Sequence, residues 1–480
     1  MGSVLDYVVI GAYFAAMIGA GYIGLRKARS AEDYLVAGRR LGPLMFVGTL
    51  SAVVLGGAST IGSVSLGYQF GISGMWLVFM IGLGIIALGI LLSTRLSRLG
   101  VFTVSEMLGL RYGDSSKLIG GIVAASYALM IAVTSTIAIG TVFNVVLGVP
   151  QTIAILIAGG VVVAYSVAGG MWSITLTDFL QFCVMTAGIF LALLPLAIIR
   201  AGGFSGMSES LPASYFDLTS IGGGTIFAYF LLYFLGLMIG QDIWQRVFTA
   251  RSPGVARWGG VVAGVYCLAY AVAGALIGTA ARVLLPNLET PDNAFAEVAG
   301  AVLPAGILGL VIAAALAAVM STASAGLLAS STILANDVYA GFVRRRGSPS
   351  DTLGTSRFFT LIVGVVVLVI SLAVNDVVGG LTVAYNLLTG ALFIPIVGAL
   401  FWRRATSAGA LASMLASSVV VVGLMIRDGL LANSPIYVGL ITSLVVFVVV
   451  SLFTRPSSRG DAAAWQRRVA GSNSETGERV

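Results

Sequence analysis

The feature that most limits this chain is the recurrence of apolar stretches about 20 residues long, each able to cross bilayer hydrocarbon as a helix. In lipid, backbone N–H and C=O groups must be satisfied within the segment or by neighbouring protein, so such stretches fold as helices. Of 480 residues, 58% are hydrophobic and only 9% charged, with mean hydropathy +1.03. A soluble chain carries far more charge, so lipid is the solvent for most of this one.

Thirteen candidate spans follow, at 4–25, 43–71, 74–94, 117–146, 151–169, 176–199, 222–247, 257–282, 303–337, 357–374, 380–402, 407–426 and 435–454. The first is long and lacks a basic leader, so it reads as a span and not as a cleavable signal. The connecting loops sort by charge. Alternate loops, with the tail, hold 23 of the 26 basic residues; the others hold Arg200, Arg282 and Arg427. The rich set includes Arg39, Arg40, Arg95, Arg98, Arg257, Arg344, Arg345, Arg346, Arg403 and the tail's Arg479. Basic residues collect on the cytoplasmic side of membrane proteins. The expectation is therefore a cell (inner) membrane protein, amino terminus outside and carboxyl terminus in the cytoplasm. The net charge of +7 is accounted for by this sidedness and calls for no nucleic acid. The polar tail, 456–480, reads as short and disordered.

There is no histidine, which removes the usual zinc ligand, general base and proton relay. No nucleophile–base pair or metal cluster stands out, and an enzyme is not expected. Cys183 and Cys267 lie far apart in apolar stretches and make no disulfide framework.

Two places suggest broken helices. Span 2 carries GGASTIG at 56–62 near its middle, and span 7 opens on three glycines and has Gly236 and Gly240 at its centre. Non-helical backbone at membrane depth is tolerated where it lines a cavity, and freed carbonyls there can hold a cation. Spans 2–6 and 7–11 would be five-helix units of opposite topology. Span 9 sets Ser321, Ser324 and Ala325 on one face, with Thr322 beside them. These hydroxyls either bond back to their own helix or supply neutral oxygen ligands to a hard cation. Asp178, at the entry to span 6, is either a functional membrane carboxylate or an acid at a helix N-terminus. Asp242 and Arg246, one turn apart, read as a structural ion pair.

Six motifs in order closely resemble the sodium:solute symporter family: YLVAGRRLGP at 34–43, GGASTIG at 56–62, AYSVAGGMW at 164–172, TDFLQ at 177–181, GQDIWQR at 240–246 and AVMST at 318–322. The resemblance spans about residues 32–455. It implies an all-α polytopic protein of LeuT-like fold, with one transporter domain (1–455) whose inverted repeats are 43–199 and 222–402. It also implies Na⁺ as the coupling ion, held by carbonyls of Ala58, Ile61 and Ala318 and hydroxyls of Ser321 and Thr322. Asp178 and Ser324 match a second sodium site found in some members, but Ala325 stands where a serine is expected. The solute would sit beside Ser65, Tyr68, Tyr233, Phe234, Leu237 and Gln241. The sugar branch has an aromatic gate near Gly236; its absence here argues against a sugar, and the Gly-Gln pair resembles the proline branch. The expected function is sodium-coupled import of a small organic solute, an amino acid such as proline or a small carboxylate, by alternating access. The partners expected are that solute and the lipid bilayer. The alternatives are a proton-coupled transporter of the same fold working through Asp178, and a membrane sensor or channel.

Overall fold

The computed structural model describes residues 3–339, 352–373, 377–430, 432–455 and 459–470. Among them the regular structure is helical, apart from one isolated bridge between Leu41 and Ala250. Ten helical runs are long and apolar enough to cross a membrane, or eleven when the bent pair Gly223–Leu237 and Gln241–Val247 counts as one span. Two of the ten, Gly57–Leu99 and Gln151–Arg200, are 43 and 50 residues long. A straight helix of the second length would reach about 75 Å, more than twice a hydrocarbon core of about 30 Å. Each is interrupted at a glycine of positive φ: Gly71 (φ 63°, ψ −139°) and Gly170 (φ 52°, ψ −133°). Divided there, and with Pro43–Val54 joined to Gly57–Phe70 as one broken span, the runs correspond to the thirteen sequence windows.

Span 9, the helix Ile307–Ile333, is the centre of the bundle. Every residue from Val311 to Ile333 is buried except Thr322, which is half-buried. Its run of Ala, Ser and Gly allows close approach by Val4–Lys27, Asp114–Leu147 and Gly160–Met185. Large apolar side chains such as Ile18, Ile157, Leu191, Val419 and Phe453 are instead exposed on the rim, as a lipid-facing surface requires.

The loops segregate to two ends. At one, Arg39 Nη2 donates to the Val101 carbonyl (3.1 Å), Arg111 Nη2 to that of Ala405 (2.9 Å) and Arg404 Nη2 to that of Thr454 (2.9 Å). At the other, Asp6 accepts from the Gly306 and Gly309 amides and Ser73 Oγ donates to the Leu218 carbonyl (2.9 Å). Arg344, Arg345, Arg346 and Arg479 lie outside the described residues, as do 456–458 and 471–480 of the tail. The rest of the tail differs from expectation. Arg459–Ala470 is a helix, docked at the basic end because Trp465 is buried and donates to the Ala399 carbonyl (2.8 Å).

The 34–43 motif is anchored at the same end. Tyr34 is buried, and its hydroxyl reaches the Ser166 carbonyl (3.1 Å) and Thr360 Oγ1 (3.0 Å). Burial pushes the neighbouring Asp33 carboxyl up. Hydrogen bonds from Trp172 and Ser30 and the adjoining Arg40 guanidinium outweigh that and hold it below the usual carboxylate range.

Gly170 ties these pieces together, since a Cβ there would run into the Tyr34 carbonyl and ring. Gly170→Ala adds that clash to a backbone region L-residues avoid. It should cost about 2 kcal/mol or more, read as a lower melting temperature in detergent; an unchanged melt would contradict this account of the break between spans 5 and 6.

Candidate functional site

The first break falls at Leu55 and Gly56, between Pro43–Val54 and Gly57–Phe70. Leu55 leaves the helix (φ −96°, ψ 53°), and Gly56 is extended (φ −71°, ψ −165°). Two hydroxyls from the next turn return to cap the freed carbonyls: Ser59 Oγ donates to Val54 (3.0 Å) and Thr60 Oγ1 to Leu55 (3.2 Å). The polar GGAST run thus both stops one helix and starts the next.

The carbonyls two residues earlier are met from span 9. Ser321 Oγ donates to Ala52 O (2.9 Å) and Thr322 Oγ1 to Val53 O (2.8 Å). Both hydroxyls also reach Ala318 O, at 2.9 and 3.3 Å. Five neutral oxygens from two remote segments therefore converge at the break. Gly56 is pressed so closely on this cluster that a Cβ there would stand 2.6 Å from Thr322 Oγ1. Ser321, Thr322 and Ala318 come together as the sequence suggests. Ser321 and Thr322 donate to the carbonyls of Ala52 and Val53 and not to those of Ala58 and Ile61. Ala58 and Ile61 lie inside the helix Gly57–Phe70, where the helix itself engages backbone oxygens. The break lies just ahead of most of the glycine-rich patch, because the Ser59 and Thr60 caps let the helix restart at Gly57.

A cavity opens beside the break toward the end opposite the basic loops. Its outer part, about 440 Å³, is bordered by Ala58, Ile61, Ser65, Tyr229, Tyr233 and Asp292. Its floor, a further 50 Å³, is bordered by Gly56, Thr134, Ser135, Asp242, Thr322 and Tyr385. The second broken span forms one wall. Gly223–Leu237 and Gln241–Val247 are bent by 46° across Met238–Gly240.

Of the residues expected around a solute, Ser65, Tyr233 and Leu237 border this space. Ser65 Oγ donates to Asp292 Oδ1 (2.7 Å), and the Tyr233 ring meets Tyr385 edge-on at 5.3 Å. Tyr68, Phe234 and Gln241 point elsewhere. The Tyr68 hydroxyl donates to the Leu285 carbonyl (2.8 Å) and accepts from Arg282 (3.0 Å). Phe234 stacks on Phe230 at 4.8 Å. Gln241 latches onto the loop after span 3, accepting from the Val104 amide (2.7 Å) and donating to Phe102 O (3.0 Å). A side chain at Gly236 would strike Tyr385 and Thr389 at 2.7 Å, so span 11 already fills that place.

The ion pair of the second break is not Asp242 with Arg246. Arg246 Nη2 pairs with Asp178 Oδ2 at 3.3 Å, both side chains fully buried, and Thr49 Oγ1 donates to the same oxygen at 2.6 Å. Arg246 reaches Asp242 through the Asp242 backbone carbonyl (3.2 Å). The Asp242 carboxylate instead faces the cavity floor and accepts from the Tyr127 hydroxyl (3.2 Å). Asp178 and Ser324 have separate partners: Asp178 Oδ2 takes Arg246 and Thr49, while Ser324 Oγ donates to Ser321 O (2.9 Å). Sequence reasoning missed Asp242 as a cavity residue because its i, i+4 spacing to Arg246 supplied a ready partner. The signal was its place two residues after the break glycine Gly240. Thr134, Ser135 and Tyr385 come from distant spans and carried no signal.

Below the cavity the basic end is sealed. The Asp178–Arg246–Thr49 cluster ties both broken spans to span 6, and Gln245 Nε2 joins Leu35 O (2.9 Å) to Thr332 Oγ1 (3.0 Å).

A profile of the sodium:solute symporter family matches residues 34–417. The chain is 28% identical over 467 residues to the high-affinity proline transporter PutP of Bacillus subtilis (strain 168), covering 92% of this chain and 97% of that protein. It is 26% identical over 485 residues to the osmoregulated proline transporter OpuE of the same organism, covering 93% and 94%. Over 479 residues it is 26% identical to the sodium/proline symporter of Escherichia coli (strain K12), covering 95% and 94%. Among solved structures it is similar to a Na⁺-coupled sialic acid symporter in its substrate-bound outward-open state. The TM-score is 0.83, with 18% identity and 95% and 99% of the two chains covered. It is also similar to MhsT in complex with L-phenylalanine, with a TM-score of 0.57, 14% identity and 85% and 98% covered. These similarities give the fold, which is LeuT-like.

Breaking a buried ion pair by removing one partner costs about 3–5 kcal/mol, because the other charge is left in low dielectric. Asp178→Asn should therefore melt well below wild type, and the double change Asp178→Asn with Arg246→Gln should recover part of the loss. Labelling of buried Cys267 by a thiol-reactive dye during heating reads both; a single variant as stable as wild type would contradict the pairing.

Proposed function

The chain belongs to the sodium:solute symporter family, whose members couple sodium to solute movement, and on that premise we propose that it imports a zwitterionic amino acid, with proline first among candidates. The observation that carries this reading is the cluster of neutral oxygens where span 9 meets the break of span 2, beside a cavity of solute size. Na⁺ prefers hard oxygen ligands, and neutral ones keep the site free of a permanent buried charge. In the proposed site the carbonyls of Ala52, Val53 and Ala318 and the hydroxyls of Ser321 and Thr322 hold one sodium. The hydroxyl protons that now point at the carbonyls rotate away, and the cation replaces them. Asp178 serves as the partner of Arg246 and not as a ligand of a second sodium.

The solute occupies the cavity next to it. Its carboxylate sits at the start of the helix Gly57–Phe70, where first-turn N–H groups are free and the dipole favours a negative charge. Its ammonium faces Asp242 across the floor. Tyr233 and Tyr385 supply apolar ring surface. The relatives named for proline support this choice, as does Tyr385 filling the space at Gly236.

Spans 2–6 and 7–11 act as two inverted repeats within one transporter domain. The amino terminus faces outside and the carboxyl terminus the cytoplasm of a cell (inner) membrane, which turns the cavity outward and the sealed basic end inward. Sodium joins span 9 to span 2 and favours this outward-open arrangement. Solute binding lets the repeats rock, the Asp178–Arg246–Thr49 seal parts, and the oxygen cluster separates to release both cargoes. The membrane potential contributes about 2.3 kcal/mol per charge per 100 mV.

Two variants test separate halves of this reading in proteoliposomes under an inward sodium gradient. Ser321→Ala with Thr322→Ala should raise the sodium concentration for half-maximal proline uptake at least about tenfold; unchanged sodium dependence would remove the proposed site. Asp242→Asn should weaken proline by roughly 10- to 100-fold, the worth of a charge-assisted hydrogen bond, while sodium still stabilises the empty protein. Unaltered proline affinity in that variant would remove Asp242 from the solute site.

A further inference from the structure

A second large cavity, about 570 Å³, lies at the basic end and shares no lining residue with the two cavities at the break. It is enclosed by the ends of spans 3 and 11 and by the tail helix Arg459–Ala470. Arg95, Arg98, Arg111, Arg257 and Arg403 line it, and among the described residues no Asp or Glu does. Arg95, Arg98, Arg257 and Arg403 make no ion pair among the described residues. Arg95 Nη1 is buried with no hydrogen-bond partner among the described residues, while its guanidinium lies over the Phe401 ring at 4.3 Å. Arg111 is only 8% exposed, and one of its donors is engaged by Ala405 O.

Arg95, Arg98, Arg257 and Arg403 turn into one space without an ion pair among the described residues and repel one another, and a buried donor without an acceptor is costly. An anion relieves both. The rim of the same cavity is apolar: Ile90, Leu91 and Phe401 are 47%, 53% and 49% exposed and belong to the lipid-facing surface. A ligand that uses both parts has a negative head and hydrocarbon chains.

We propose that this cavity binds the headgroup of an anionic phospholipid, its phosphate among Arg95, Arg257 and Arg403 and its acyl chains along Ile90, Leu91 and Phe401. Basic pockets between spans on the positively charged side of membrane proteins suit such headgroups. The lipid also bears on the tail. Trp465 fixes the tail helix through Ala399 O (2.8 Å), and Arg98 Nη1 donates to Ala470 O (2.9 Å), so the headgroup lies between the bundle and the tail and joins them. The inference is independent of which solute is carried.

Native mass spectrometry of the full-length protein, stripped in detergent and titrated with phosphatidylglycerol, phosphatidylcholine or inorganic phosphate, tests it. Wild type should retain phosphatidylglycerol several-fold more tightly than phosphatidylcholine, and a large excess of inorganic phosphate should not displace it. R257Q/R403Q changes two exposed side chains and should weaken phosphatidylglycerol roughly 30-fold, at about fivefold per basic residue. R95Q should weaken it about fivefold through the inner part of the cavity. Equal retention of the two lipids by wild type would overturn the proposal without any variant. So would full displacement by phosphate, which would mark a soluble-anion site, or wild-type binding by folded R257Q/R403Q.

Discussion

Two hydroxyls standing on two carbonyls hold this structure at its middle. A helix that stops at bilayer depth releases carbonyl groups that lipid cannot satisfy. Thr322 satisfies the carbonyl of Val53, and Ser321 joins the Leu55 amide on that of Ala52, both from a helix about 270 residues further along the chain. The break can exist because span 9 is there, and span 9 can approach so closely because Gly56 has no side chain to hold it off. The contact is polar, neutral and reversible. Those are the properties required of a joint that a cation tightens and whose loss lets the two halves separate.

Charges are few, and each has an assigned place. Asp178 and Arg246 neutralise one another in full burial and seal the basic end. Asp242 is left to face the cavity with a tyrosine hydroxyl as its partner. Most of the remaining basic residues gather at one end, where Arg95, Arg257 and Arg403 surround a space with no carboxylate among the described residues. The two cavities thus differ in kind. One is mostly neutral and apolar with a single acid on its floor, and the other is basic with an apolar rim.

Much of this was legible in the sequence. Apolar run length gave the spans, loop charge gave the two ends, and the GGASTIG patch marked a broken helix against an otherwise apolar background. The Ser321–Thr322 pair could be tied to that break only through the family resemblance, since nothing local says which distant segment it will meet. The register at the break was misread because glycines suggest unwinding, whereas Ser59 and Thr60 cap the preceding carbonyls and restart the helix at Gly57. The i, i+4 spacing of Asp242 and Arg246 was equally misleading. A third span supplied the stronger partner, and such long-range competition leaves no trace in local spacing. The tail helix was missed because its mean composition is polar, while its docking rests on one residue, Trp465.

The central claim is that sodium bridges span 9 to the break of span 2. Hydrogen–deuterium exchange of the purified protein, compared in sodium and in potassium at equal ionic strength, tests it most directly. The account predicts that sodium slows exchange in residues 50–60 and 316–326 together, with no comparable change in spans 12 and 13. Identical exchange in the two salts, or protection confined to one of the two segments, would contradict it.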